Sequence, residues 1–142
     1  MGHMSFNEKS AWAMILALGL ASVVYLGPVL SAWFRAGVII PPAPFVIAFT
    51  VVVIILSIIT HIIVALSNPS EATETRDERD RAVIHFAGHW SGIVFAVGVI
   101  TCLLNYLVFP NGDLMFHGIF ISLIIASLIE YGLRLFSYRR VL

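Results

Sequence analysis

Several residues combine types and spacing that could do chemistry. His85 and His89, in His85-Phe86-Ala87-Gly88-His89-Trp90-Ser91-Gly92, stand four apart. On a helix that spacing stacks two imidazoles on one face, where they could share one metal ion. Gly88, Gly92 and Ala96 fall on nearly the same face, and small residues there let another backbone approach closely. A helix packed on that groove would enclose the pair. His61 belongs to a second pattern, Thr50, Ser57, His61 and Asn68, at spacings of seven, four and seven. At about 100° per residue the four lie within about 40° of one another. Such a polar stripe should face other helices rather than lipid. Glu130 sits in an otherwise apolar stretch, where a carboxylate is costly unless paired or protonated. Arg134 follows it by four residues, the favourable order for an intrahelical ion pair.

Each feature has a structural reading beside the chemical one. Hydroxyls such as those of Thr50 and Ser57 hydrogen-bond across membrane helices, His85 and His89 lie near the headgroup depth, where imidazole is comfortable, and Gly-xxx-Gly is a packing groove. Depth supplies the sharper alternative. His61, His85, His89 and Glu130 should all lie in the same third of the protein, near one membrane face. Three imidazoles and a carboxylate suit a divalent transition metal. Two imidazoles on facing helices suit haem b, although the first span supplies no histidine. His117, just after Asp113, reads as a solvated residue at the opposite face. Thr101 and Asn105 form a small polar patch on the side of the third span opposite the paired histidines. Cys102 is the lone cysteine, so neither an intrachain disulfide nor a thiolate zinc site can form.

The run Arg76-Asp77-Glu78-Arg79-Asp80-Arg81 is the most distinctive string. Arg76 with Asp80 and Asp77 with Arg81 are i,i+4 pairs, each contributing only a few tenths of a kcal/mol to a helix. The run is either a salt-bridged entrance to a span or a docking surface for a cytoplasmic partner.

The elements that must position these groups follow from composition. Of 142 residues, 60% are hydrophobic and only 11% charged, against roughly 25% charged in an average soluble domain. That cannot clothe a soluble fold. Zero net charge leaves no basic field for nucleic acid. No Asp, Glu, Lys or Arg occurs from 10 to 34, 36 to 70, 82 to 112 or 114 to 129. About 20 apolar residues cross a bilayer as a helix. The chain therefore reads as an all-α polytopic membrane protein, a single domain with a four-transmembrane-helix bundle. Its spans lie at about 10–34, 44–66, 88–109 and 114–136.

Pro41-Pro42-Ala43-Pro44 must break the helix between the first two spans. Pro110-Asn111-Gly112-Asp113 should be a tight turn. Thr75 and Glu78 fit a capping box, which starts the third helix near Arg76, outside the membrane. Segment 67–87 is then a charged loop plus helix extension. Gly27-Pro28 is expected to kink the first helix. Met1-Gly2-His3-Met4 reads as a cloning remnant, and Ala11–Leu30 is too long for the apolar core of a signal peptide. Lys9, Arg76, Arg79, Arg81, Arg134, Arg139 and Arg140 lie at one face and Arg35 alone at the other. That bias places both termini and the charged loop in the cytoplasm.

Asp77-Glu78-Arg79-Asp80-Arg81, running directly into a span, resembles a DERD-type motif in small, uncharacterised bacterial four-helix membrane proteins. The likeness covers about a dozen residues and the four-span layout. It implies a multi-pass protein of the bacterial inner membrane and carries over no catalytic residue. The paired histidines are not part of it.

No nucleophile–base arrangement and no phosphate-binding glycine loop occurs. The leading expectation is a non-enzymatic protein in the lipid bilayer. It would act as a homo-oligomer, or through a cytoplasmic or membrane protein partner, by way of its charged loop. One alternative is a metal- or haem-binding module using His61, His85, His89 and Glu130. A second is an oligomeric transporter, similar in size to small multidrug exporters but without their acid in the first span.

Overall fold

A computed structural model describes residues 6–67 and 78–140. The chain there forms α1 (Phe6–Ala36), α2 (Ala43–Ser67), α3 (Glu78–Val108) and α4 (Gly112–Arg140). At 1.5 Å rise per residue these helices are about 38 to 46 Å long, more than the roughly 30 Å of a hydrocarbon core. All four are long and apolar enough to cross a membrane.

The breaks between helices have local causes. Gly37 takes a left-handed φ of 63°, and its N–H donates to the Trp33 carbonyl at 2.9 Å, closing α1. The Pro42 carbonyl accepts from Phe45 and Val46 N–H at 3.1 and 3.0 Å, so α2 opens there. Pro44 is tolerated because first-turn N–H groups have no partner within the helix. Asn111 caps α4, its Oδ1 accepting from Leu114 N–H at 2.9 Å. Gly112 and Asp113, expected in the turn, are instead the first helical residues. Helix α3 is described from Glu78, and Thr75, Arg76 and Asp77 lie outside the described residues.

The helices pack in the order α2–α1–α4–α3, each antiparallel to its neighbour. Side-chain pairs fix the directions: Ser10 with His61, Glu8 with Arg139, and Gly98 facing Ser122. Helices α2 and α3 take the outer positions, and no substantial packing joins them. The row follows from side-chain size. Helix α1 buries Ala11, Ala17, Leu18, Ala21, Ser22 and Tyr25. Its alanines let neighbours come close on two sides. Helix α2 carries the run Val51-Val52-Val53-Ile54-Ile55, with Val51, Ile54 and Ile55 exposed. Such a branched apolar surface is at ease against lipid tails, which are as apolar as itself.

The core joins Leu18, Ala21 and Tyr25 of α1 to Phe49 of α2 and Ile124 of α4. Tyr25 lies 4.7 Å from Phe120 and 6.3 Å from Phe49 between ring centroids. Phe49 meets Phe120 edge-on at 5.1 Å. Such tilted pairs align ring edges with ring faces, the arrangement aromatic quadrupoles favour.

The close approach of α3 to α4 differs from expectation. A Cβ added at Gly88 or Gly92 would meet nothing within 4 Å, so none of the described helices packs on that groove. A Cβ at Gly98 would fall on the Ser122 side chain, and one at Gly118 would lie 2.6 Å from Cys102 Sγ. Two reciprocal small-xxx-small patterns, Gly98/Cys102 and Gly118/Ser122, therefore form the contact.

Candidate functional site

On α3, Ala87 and Ser91 are buried, and Gly98 and Cys102 face α4. Helical geometry at about 100° per residue puts these four on one side. By the same count His85, His89, Gly92 and Ala96 lie within about 60° of one another, turned away from α4, with Gly88 on the flank. His85, His89, Gly92 and Ala96 are all exposed. Among the described residues neither histidine hydrogen-bonds, and the ring contact of His89 is with its own neighbour Trp90. Two imidazoles thus stand on an uncovered helix face, about one to two turns past the last charged residue, Arg81. Leu103 and Leu107 prolong the same side, 48% and 79% exposed.

Below the histidines, Glu78, Arg79 and Arg81 are exposed. Asp80 is half-buried and accepts from Asn7 Nδ2 at 2.8 Å. Arg76 and Asp77, and with them both expected i,i+4 pairs, lie outside the described residues.

The other expected site residues are dispersed. His61 stands on α2, at the far side of the row from α3. Its Nδ1 is 2.8 Å from the Ser57 carbonyl, which can only accept, so Nδ1 carries the proton. Nε2 is then free to accept from Ser10 Oγ at 3.3 Å. Ser57 Oγ donates to Met14 Sδ at 3.5 Å. This part of the polar stripe faces α1, whereas Thr50 is exposed and donates to its own Val46 carbonyl. Asn68 lies outside the described residues. Glu130 accepts from Arg134 Nη2 of its own helix, and that guanidinium lies 4.8 Å from the Tyr131 ring centroid.

The quartet His61, His85, His89 and Glu130 is therefore not assembled within one chain. Among the described residues no three His, Cys, Asp or Glu side chains gather to hold a metal. Equal depth proved insufficient because α2 and α3 are separated by two helices. The same separation keeps His61 from facing His85 or His89 across a haem.

His117 overturns its expectation as a solvated residue, being only 4% exposed. Its Nε2–H donates to the Ile40 carbonyl at 2.8 Å, so in the neutral ring Nδ1 accepts from Tyr25 O–H at 2.6 Å. This chain of bonds ties α1, the α1–α2 linker and α4 together. Tyr25 is fully buried. Its signal was an aromatic hydroxyl inside an apolar span, which must find a partner.

At the other end, the first turn of α1 reaches every other helix. Asn7 contacts Asp80 of α3, Ser10 contacts His61 of α2, and Glu8 accepts from Arg139 Nε of α4 at 3.2 Å. The Arg139 guanidinium also lies 5.8 Å from the Trp12 ring centroid.

Four apolar crossing helices, tied by polar clasps at both ends, define an all-α polytopic membrane protein with a four-transmembrane-helix bundle. Compared with family models, curated proteins and solved structures, the chain matches none.

Proposed function

We propose that this chain is a non-enzymatic component of a bacterial inner membrane. It acts by associating with itself, or with a protein partner, through segment 67–89 and the adjoining outer face of α3. Both termini and the charged loop lie in the cytoplasm. The observation that carries this reading is the uncovered face at His85, His89, Gly92 and Ala96. The His85 and His89 imidazoles are exposed at the charged end of α3, and an added Cβ at Gly92 would meet empty space. A second helix seated there would cover both. The resemblance of the Asp77–Arg81 string supports the bacterial membrane, and the excess of Lys and Arg at one face supports the orientation.

The test is an alanine series through Arg76–Arg81, read by cross-linking in native membranes and by partner pull-down. Loss of either association is expected. Unchanged oligomerisation and unchanged pull-down across the whole series would overturn the reading. Orientation has its own assay. Cys102→Ser chains with a single cysteine at Arg35 or Arg79 are treated with an impermeant maleimide on intact spheroplasts. The position-35 cysteine should react and the position-79 cysteine should not.

A further inference from the structure

Where α1 begins and α4 finishes, the bundle holds one cation open to its surroundings. Arg139, next to the last residue of α4, uses Nε to donate to the Glu8 carboxylate at 3.2 Å. Its guanidinium lies 5.8 Å from the Trp12 ring centroid, within reach of a cation–π contact. A guanidinium carries five N–H donors in a fixed fork. Among the described residues nothing accepts from the four on Nη1 and Nη2, and the side chain is 61% exposed. Carboxylate and indole thus hold the plane of the group, while the edge that can grip an oxyanion with two parallel bonds stays open. Depth decides what reaches that edge. Helix α1 is about 46 Å long, so when centred it overhangs a hydrocarbon core of roughly 30 Å by about 8 Å at each end. Trp12 stands about 9 Å along it, at the edge of the hydrocarbon, and its ring is exposed there, as indoles are at a membrane interface. The guanidinium lies between Trp12 and Glu8, which is one turn further out, and so at the level of the lipid headgroups. Lys9, Arg134, Arg139 and Arg140 face only Glu8 and Glu130 on these two helix ends, which leaves a surplus of positive charge.

We infer that Arg139 and Trp12 form a docking site for the headgroup phosphate of an anionic phospholipid, of which phosphatidylglycerol is a simple case. The open Nη edge donates two N–H bonds to the phosphate oxygens, a match that a guanidinium makes and an ammonium does not. The Trp12 ring lies just below, where the glycerol backbone and first methylenes of the same lipid rest against it. A phosphate that carries choline or ethanolamine has a cation of its own beside the oxygens. That cation competes with the guanidinium, so lipids without an amine are preferred. Glu8 is buried and Arg139 exposed, so an arriving headgroup meets the cation before the carboxylate. The site lies on α1 and α4, and it stands or falls separately from association through α3.

The experiment uses the full chain with Trp33→Phe and Trp90→Phe, which leaves Trp12 as the sole tryptophan. It is reconstituted in phosphatidylcholine vesicles carrying a minor fraction of phosphatidylglycerol. One lipid or the other is brominated on its acyl chains, so that contact quenches Trp12 fluorescence. The expected result is a relative binding constant for phosphatidylglycerol about threefold that for phosphatidylcholine, the scale of an exposed charge pair. The preference should persist at about 1 M salt, where the screening length falls to about 3 Å. Arg139→Gln should bring the ratio to one with helicity kept. Arg140→Gln, which removes a cation one residue away, should leave it near the parent value. Equal quenching by the two lipids in the parent would overturn the site, whether or not any variant folds. A preference that vanishes in salt, or that Arg140→Gln removes as fully as Arg139→Gln, would overturn it in favour of diffuse surface charge. Displacement of phosphatidylglycerol by excess inorganic phosphate would overturn the assignment to a lipid.

Discussion

Removing a single oxygen from Tyr25 tests whether the buried clasp at the linker end holds the bundle together. In Tyr25→Phe the ring keeps its contacts with Phe49, His117 and Phe120, and the vacated volume is smaller than a methyl group. The cavity contribution is therefore small. What disappears is the only donor to His117 Nδ1 among the described residues, on a side chain just 4% exposed. Hydrogen bonds between membrane helices average about 0.6 kcal/mol and reach about 1.7, and a stranded buried acceptor costs about 1–3 kcal/mol. Both nitrogens of His117 are engaged and the surroundings are aromatic, so the upper part of the first range applies. We expect Tyr25→Phe to lower stability by about 1.5 kcal/mol. The assay is reversible denaturation by SDS in mixed micelles, followed by circular dichroism. His117→Leu and the double substitution complete a cycle, with an expected coupling of about 1 kcal/mol. A Tyr25→Phe protein within about 0.3 kcal/mol of the parent, together with zero coupling, would refute the reasoning, since distant independent sites add to within that margin.

The remaining predictions read other joints of the same structure. Gly98→Leu should drive Ser122 away and cost about 1–3 kcal/mol of bundle stability, seen as a lower SDS midpoint. Gly92→Leu, facing open space, should leave monomer stability within about 0.5 kcal/mol while abolishing cross-linking. Asn111→Ala removes the cap of α4 and should cost about 1 kcal/mol, read in the same titration. Gly37→Val places a branched side chain at φ 63°. That should cost more than 1 kcal/mol, about what left-handed backbone costs an ordinary residue, and a normal midpoint would contradict the capping role.

Much of the architecture was legible in the residues. The charge-free gaps located all four spans because a carboxylate or guanidinium in hydrocarbon is costly enough to be rare. The prolines at 41, 42 and 44 located the first break because proline cannot donate inside a helix. The order of the helices was not legible from hydropathy, which treats all apolar residues alike. It was carried by size, in the alanines of α1 against the valines and isoleucines of α2. The Gly98/Cys102 and Gly118/Ser122 contact could have been found the same way, yet Gly88 and Gly92 offered a similar pattern at equal strength. Nothing in one sequence says which groove is filled by the chain itself. Among the candidate residues, the Glu130–Arg134 pair was readable because both partners lie on one helix. The fates of His61, His85, His89 and His117 depend on which helices are neighbours. Depth along a span is set by counting residues, but rotation and adjacency are set by packing.

The bond between Glu8 and Arg139 joins residues 131 positions apart. During synthesis the carboxylate enters the membrane boundary with the first helix, and its guanidinium emerges only with the last. Until then the first helix lacks a contact that only the fourth can supply. A chain halted after the third span would therefore retain the carboxylate without that guanidinium. The last turn of α4 thus acts as a closing latch that only the full set of four helices can fasten.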